Sequence, residues 1–256
     1  MHEIIKTTLD GIQHEQNFRI VYACESGSRA WGFPSEDSDY DVRFLYLNQP
    51  DWYLSIEVED RPDVFELPIV DNLDINGWDL RKALRLLKKS NPPLLEWLNS
   101  PIVYFEMPEI AAQLRELIPK FYSPIACGYH YLHMAQGNYR EYLKGDEVWL
   151  KKYLYILRPL LAIRWITEEK SAVPMEFDTL VNRLVKEKPL RRSIEELLRR
   201  KKEGQELDRG PKIQEISDFI ERELSRLETE MPEQIGPKSD VEELNDVFRR
   251  SLAIAW

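Results

Sequence analysis

Cysteine is almost absent from this chain: Cys24 and Cys127 are the only two in 256 residues, and they lie far apart. Two are too few for a disulfide scaffold or a cysteine-based zinc site, and a chain of this length needs no covalent staple. Both read as reduced thiols that behave as small buried hydrophobes. No run of eighteen apolar residues occurs, which excludes a transmembrane helix and a membrane partner of that kind. The opening segment, MHEIIKTTLDGIQHEQ, has no apolar stretch followed by a small-residue cleavage site. A secretory leader is therefore not expected, and a cytoplasmic location is. Repeats and low-complexity tracts are missing too. Positive charge is in deficit, with 35 Lys and Arg against 45 Asp and Glu, a net −10 that argues against a nucleic-acid-coating surface.

What is present is an ordinary globular balance, 43% hydrophobic and 31% charged, enough for one large domain or two small ones. The charge is unevenly spread. Residues 31–80 hold thirteen Asp or Glu against two Arg, a local −11 that leaves the rest of the chain near neutral at +1. Such a run is by default a solvated surface, but dense carboxylates also surround divalent metal ions, whose charge offsets their repulsion. Spacing has to separate the two.

The first third reads as mixed α/β and the remainder as helical. Ile4, Ile5, Leu9 and Ile12 mark an amphipathic helix over residues 2–17, followed by a buried strand at residues 19–24 and a second strand at 40–47. Further strands are expected at Leu54–Val58, Val64–Leu67 and Leu73–Ile75, with Arg61-Pro62-Asp63 as a turn. From Trp78 the period becomes helical: Leu80, Ala83, Leu84 and Leu87 form a stripe that ends at Asn91-Pro92-Pro93, which opens a short helix over Leu94–Leu98. Helices are expected near 108–118, 124–143, 147–168, 175–186, 190–203, 212–229 and 240–253. Pro159 is expected to kink the third of these, and Ser239 begins a capping box for the last. The proline-punctuated stretch 100–120 suggests a domain boundary near residue 105.

Chemistry concentrates in Ser26-Gly27-Ser28-Arg29 and in Asp39-Tyr40-Asp41-Val42-Arg43. Gly27-Ser28 directly follows a strand and is expected to open a tight turn or helix, which points backbone N–H groups and the Ser28 hydroxyl at an anion. Asp39 and Asp41 stand one residue apart on an expected strand, so alternation brings both carboxylates to one face and sends Tyr40 and Val42 to the other. Adjacent carboxylates repel unless a cation joins them, and a magnesium pair suits that role. Arg43 shares the acidic face and is expected to brace the acids as an ion pair. Arg29 beside the turn suits triphosphate oxygens.

A hydrophobic strand, Gly-Ser, about ten residues and then Asp-x-Asp resembles the nucleotidyltransferase superfamily related to DNA polymerase β. That family's third carboxylate lies on a later strand between hydrophobic residues, a context matched by Leu73-Asp74-Ile75, with Glu66, Asp71 and Asp79 as competitors. The wider texture, ESGSRAWGFPSEDSDYDVRFLY with LDINGWDLRKALRLLKKSNPPLLEWLNSPIVY and KKYLYILRPLLAIRW, is similar to the YcgL-type predicted nucleotidyltransferases, a group associated with RNA ligases. The likeness weakens after about residue 190. One departure is Glu25-Ser26 before Gly27, where many members carry a hydrophobic residue.

The resemblance implies an α/β fold, with a small mixed-sheet nucleotidyltransferase domain over residues 1–105 and a helical domain over 106–256. It implies transfer of a nucleoside monophosphate from a nucleoside triphosphate, with ATP the expected one, to a hydroxyl on RNA, protein or a small molecule. Asp39, Asp41 and Asp74 would be catalytic and would bind two Mg²⁺ ions. Gly27, Ser28 and Arg29 would hold phosphates. On the expected helix 147–168, Lys151, Tyr155 and Arg158 share a face that suits a triphosphate and a base, with Lys152 as the alternative lysine. The competing reading of that stripe is packing. His130 and His133 have i, i+3 spacing but lack acidic or cysteine co-ligands in register. The run 186–209, nine basic residues against six acidic, reads as a solvated helix face that RNA could also use. The alternative function is a catalytically idle module holding nucleotide or RNA, or an RNA-end-repair partner.

Overall fold

The computed structural model describes residues 1–204, 207–231 and 240–256. In chain order its elements are α1 (His2–Gln16), β1 (Arg19–Glu25), α2 (Gly27–Ala30), β2 (Tyr40–Leu47), α3 (Pro50–Tyr53), β3 (Val64–Glu66), β4 (Leu73–Asp79), α4 (Leu80–Lys88), α5 (Pro92–Leu98), β5 (Val103–Glu106), α6 (Pro108–Phe121), α7 (Pro124–Tyr142), β6 (Glu147–Trp149), α8 (Leu150–Glu169), α9 (Phe177–Leu184), α10 (Lys188–Lys202), β7 (Arg209–Pro211), α11 (Gln214–Arg226) and α12 (Val241–Ala255). The fold is mixed α/β. No helix among the described residues is long and apolar enough to cross a membrane.

The chain divides into two compact units, and the division differs from a cut near residue 105. The first unit takes residues 1–30 and 39–122 and regains the C-terminal helix α12. The second takes residues 123 onward to the segment before α12, together with Trp31–Ser38. The unit that carries the acid-bearing sheet is therefore not one unbroken N-terminal block.

In the first unit five strands lie in the order β3-β4-β2-β1-β5. β2 and β4 are parallel, and every other pair is antiparallel. Alternation along β2 sends Val42, Phe44 and Tyr46 into a core with Ile5, Leu9 and Ile12 of α1. Gly77 on β4 permits this packing, because a Cβ there would stand 2.3 Å from the Phe44 ring. On the opposite face Trp78 stacks on Trp97 of α5 at 3.8 Å. Helix α4 buries the expected stripe of Leu80, Ala83, Leu84 and Leu87. Helix α5 begins at Pro92-Pro93, and the Asn91 side chain accepts from the Leu94 N–H at 3.2 Å. Both cysteines are buried free thiols.

Three local expectations change. Residues 54–58 form no strand: Pro50 starts the short helix α3, a 3₁₀ turn spans Val58–Asp60, and Leu54 and Ile56 are 80% and 100% exposed. Their alternating apolar pattern has no neighbouring strand to pair with, and a strand without a partner leaves its backbone groups unsatisfied. β4 runs on to Asp79 rather than stopping at Ile75. β5, between Pro101 and Pro108, pairs with β1 and was not expected as a strand.

In the second unit α8 is buried nearly all round, from Leu150 through Ile166, and so forms the centre of the helical packing. The two-stranded ribbon β6/β7 brings residues 147–149 beside 209–211. Trp31–Ser38 joins this unit through aromatic contacts. Phe33 meets Phe177 edge-on at 5.4 Å, and the Phe177 N–H donates to the Trp31 carbonyl at 2.9 Å. In the first unit Asp240 caps α12 by accepting from the Glu242 N–H at 3.0 Å, while the capping box expected from Ser239 lies outside the described residues.

Candidate active site

The parallel register of β2 and β4 places Asp41 directly beside Asp74. Arg43, two residues along β2, lies on the same face and bridges them. Its Nη2 donates to Asp41 Oδ1 at 3.1 Å and to Asp74 Oδ2 at 2.7 Å, while Nη1 donates to the Asp74 carbonyl at 2.8 Å. The guanidinium fork suits such double recognition. Burial raises the Asp41 carboxyl above its ordinary range; Arg43 opposes that, and the like charges of Asp74 and Asp39 reinforce it.

Asp41 is held from every side. Its N–H donates to Glu25 Oε1 at 2.8 Å, and its carbonyl accepts from the Ser26 N–H at 2.8 Å. Glu25 is itself buried and takes the Tyr104 hydroxyl on its other oxygen. Burial pushes Glu25 up to about 7, against the hydrogen bonds from Tyr104 and the Asp41 N–H. Ser100 Oγ fixes the same residue by donating to the Glu25 carbonyl at 2.6 Å. The unusual Glu25 ahead of Gly27 thus anchors the strand that carries Asp41. A carboxylate closing an otherwise apolar strand was the signal available for it.

Gly27 begins α2 with φ of +57°, and a Cβ there would fall 1.9 Å from Asp41 Oδ2. The turn therefore approaches the carboxylate as closely as only glycine permits. Ser28 follows in the same turn and is buried. Asp39 stands one residue before β2 and is exposed rather than part of the strand. Its carbonyl accepts from Arg29 Nε at 3.1 Å, and the Arg29 guanidinium lies 3.7 Å from the Tyr40 ring centroid. Gly27, Arg29, Asp39, Asp41 and Asp74 thus all belong to the first unit, with Arg29 tied to the segment leading into β2.

The competing acids lie elsewhere. Glu66 is opposite Asn76 on β3 and exposed, and Asp71 occupies a left-handed turn position at φ 49°. Asp79 is the N-cap of α4, taken up by the Arg81 N–H, Tyr53 and Asn48.

Asp41 and Asp74 offer carboxylate oxygens of the kind magnesium takes, with one Asp41 oxygen facing the bare Cα of Gly27, while Asp39 stands outside the strand. Arg43 occupies the place between Asp41 and Asp74, and among the described residues no three His, Cys, Asp or Glu side chains converge tightly enough to form a metal-binding group.

The expected helical stripe lies in the second unit on α8. Lys151 is exposed, whereas Arg158 is only 2% exposed and lies 4.6 Å from the Trp31 ring centroid. Tyr155 meets the same indole edge-on at 5.6 Å. Lys152 Nζ lies 4.1 Å from the Tyr142 ring centroid and 5.3 Å from that of Tyr155. Tyr155 and Arg158 thus converge on Trp31, and Lys151 stands outside that cluster.

A family model described as RlaP, the RNA repair pathway DNA polymerase beta family, matches residues 1–250. A curated relative, the uncharacterized protein YcgL of Bacillus subtilis (strain 168), is 50% identical over 257 residues, covering 100% of this chain and 98% of its own. Among solved structures, a nucleotidyltransferase-like protein from Exiguobacterium sibiricum 255-15 aligns over 87% of this chain and 75% of its own, at 12% identity and a TM-score of 0.33. That superposition is too loose to assign residues. The family match carries a general nucleotidyltransferase role, and its extent leaves little of the chain outside it: this chain belongs to the RNA repair pathway DNA polymerase beta family.

Proposed function

We propose that the chain transfers a nucleoside monophosphate from a nucleoside triphosphate, ATP in the first instance, to a hydroxyl acceptor. The observation that carries this reading is the Asp41–Arg43–Asp74 cluster set across parallel strands against the Gly27 turn. The acceptor is assigned to an RNA end because the family is described by an RNA repair pathway. Asp39, Asp41 and Asp74 would hold two Mg²⁺ ions, which when bound lower the pKa of an attacking hydroxyl and offset charge on leaving pyrophosphate.

The chain's own share is positioning. The N–H groups of Gly27 and Ser28 present donors to the β- and γ-phosphates, and Arg29 adds a guanidinium. The Asp74 carboxylate accepts the proton of the attacking hydroxyl. Glu25 and Ser26 hold the Asp41 backbone so that its carboxylate does not drift. Lys151, Lys152 and Tyr155, in the second unit, form a basic and aromatic group of the kind that suits a polyphosphate and a base.

A second reading, an idle module that holds nucleotide or RNA without transfer, draws on one observation: Arg43 already bridges Asp41 and Asp74 and offsets part of their charge. Incubating the chain with each α-labelled triphosphate, Mg²⁺ and single-stranded RNA separates the two. Label on RNA that disappears with EDTA and in Asp41→Asn supports transfer. Triphosphate binding with no label on RNA, protein or small-molecule fractions supports the idle module.

A further inference from the structure

A cavity of about 510 Å³ opens in the first unit at the far end of β2 from Asp41. It lies on the α1 face of the sheet, whereas Asp41 and Arg43 point to the other face. Its volume falls within the roughly 300–1,000 Å³ usual for small-molecule sites. The inner wall is aromatic: Phe18 stacks on Tyr46 at 4.3 Å, and Phe65 meets Phe18 edge-on at 5.8 Å. Trp52 forms part of the outer wall, with the Arg61 guanidinium 5.3 Å from its ring centroid. Amides of Asn17 and Gln49, joined by a Gln49 Nε2 to Asn17 Oδ1 hydrogen bond at 3.2 Å that leaves the Asn17 amide N–H groups and the Gln49 oxygen over, and the carboxylate of Asp51 complete the polar side.

Tyr46 supplies an independent observation. The residue is only 4% exposed, yet its hydroxyl has no hydrogen-bond partner among the described residues and is not sealed inside the protein. A buried tyrosine ordinarily finds a partner for its hydroxyl. Tyr46 lines the cavity, and the charges of Asp79 and Asp63 reach its hydroxyl.

We propose that this cavity binds a lightly charged nucleotide, a nucleoside or its 5′-monophosphate, either free or as one residue of an RNA strand. Each part of that ligand has a matching group. Phe18 and Tyr46 are buried against each other, so the half-buried rings of Phe65 and Trp52 take the base by stacking, which tolerates any base because all present a π face. Amide side chains and a phenol offer both donors and acceptors, as base edges require. Asp51 accepts from ribose hydroxyls, and Arg61 suits one phosphate. The lining carries Asp51 and Arg61, one charge of each sign, and Asp79 and Asp63 add negative charge near Tyr46. A triphosphate would leave most of its charge without a counter-ion there. The ligand is therefore distinct from the triphosphate assigned to the acids, and the site does not depend on the transfer reaction.

The test is calorimetric titration of the full chain with the four nucleosides, their 5′-monophosphates, a five-nucleotide single-stranded RNA, ATP, and glucose as a sugar that also suits aromatic and amide walls. Saturable binding of a nucleoside, a monophosphate or the RNA is expected. Tyr46→Phe should weaken it about three- to tenfold without lowering Tm, the loss of one hydrogen bond to the ligand. Trp52→Ala should weaken it more than tenfold, and Asp41→Asn should leave it unchanged. Sensitivity of RNA alone assigns the site to a strand, and sensitivity of the free monophosphates assigns it to a free nucleotide. The proposal is overturned if no nucleoside, monophosphate or RNA binds below 5 mM, if binding ignores Tyr46→Phe and Gln49→Ala, or if glucose or ATP binds there as tightly. A fall in Tm for Tyr46→Phe would also overturn it, since the hydroxyl would then be held by the protein.

Discussion

The two ends of the β2/β4 pair each carry a partly or wholly buried aspartate, and the two are built in opposite ways. At one end Asp79 is 1% exposed and its acceptor sites are filled by neutral donors: Tyr53 Oη at 2.6 Å, Asn48 Nδ2 at 3.0 Å and the Arg81 N–H at 2.8 Å. At the other, Asp41 and Asp74 share a single guanidinium and remain about a quarter exposed. Residue type and strand pair are the same. On the proposed function, what separates a structural acid from a chemical one is how many of its lone pairs the fold has already occupied, and whether the nearest donors are neutral or charged.

The comparison breaks most decisively on activity. Asp41→Asn and Asp74→Asn should each lower nucleotidyl transfer by about a hundred- to a thousandfold, the scale expected when electrostatic stabilisation at the reacting centre is removed, with Tm unchanged or raised. Asp79→Asn should keep transfer within a few-fold of the parent once folded protein is compared. Labelled-triphosphate turnover with parallel thermal melts reads both. If Asp79→Asn proves inactive while Asp74→Asn turns over, the third acid has been placed at the wrong end.

On stability the ranking reverses. Asp79→Ala removes a helix cap and leaves the Tyr53 hydroxyl and Asn48 amide facing a buried gap, at a cost of about 3 kcal/mol. Asp74→Ala removes one partner of a partly exposed bridge and should cost no more than about 1 kcal/mol. Urea unfolding of the two variants checks the order, and equal losses would mean that the openness of the Asp74 site has been overstated.

The strand–turn–strand geometry was legible in the sequence because strand alternation and a Gly-Ser turn are local properties. Asp41 and Arg43 had to share a face, and they do. Asp79, next to the Trp78 at which the helical period begins, proves to be the cap of α4. Tertiary effects were not legible. β5, β6 and β7 are three or four residues long, too short to show a period. The apolar alternation at 54–58 reads as a strand, but no other strand lies beside it. Trp31–Ser38 joins the second unit through Phe33 against Phe177, residues far apart in the chain. Glu25 looked like a departure from pattern, and its reason, the hydrogen bonds to Asp41 and Tyr104, exists only once β1, β2 and β5 are assembled.

A third buried acid sharpens the role of donor charge. Glu223 on α11 is 1% exposed; Arg164 grips it through both oxygens at 2.8 and 2.7 Å, and Arg226 adds a contact at 3.0 Å. Burial raises its carboxyl, but the two guanidinium groups outweigh that and hold it below the ordinary 4.5. For Asp79 burial dominates, and the carboxyl lies above its ordinary 3.8. The signs of the pH dependence therefore oppose. Ionised Glu223 stabilises the fold above pH about 4.5, and that contribution fades as pH falls through its lower folded value. Asp79 binds its proton more tightly when folded, so its contribution declines as pH rises from about 3.8 through its raised folded value. From pH 3 to 6, the Tm gap between parent and Glu223→Gln should widen with rising pH, and the gap to Asp79→Asn should narrow. Gaps that move in the same direction would remove donor charge as the deciding variable.

The smallest effect carries the same criterion to cations on α8. Arg158 is buried against Trp31 and engaged there, while Lys151, seven residues earlier on the helix, is exposed. If availability decides chemistry, the exposed lysine is the one that reaches a polyphosphate. Lys151→Ala should weaken triphosphate binding about threefold, the scale of a solvent-screened point charge. The monophosphate should lose less, because fewer phosphate charges meet the ammonium. Tm should not move. Arg158→Ala should instead lower Tm by several degrees, since it removes a guanidinium packed over an indole and leaves a cavity in the second unit. Titrating each variant with ATP and AMP beside a thermal melt separates the two roles. A Lys151 variant with unchanged ATP affinity would confine α8 to packing and leave nucleotide recognition to Gly27, Ser28 and Arg29.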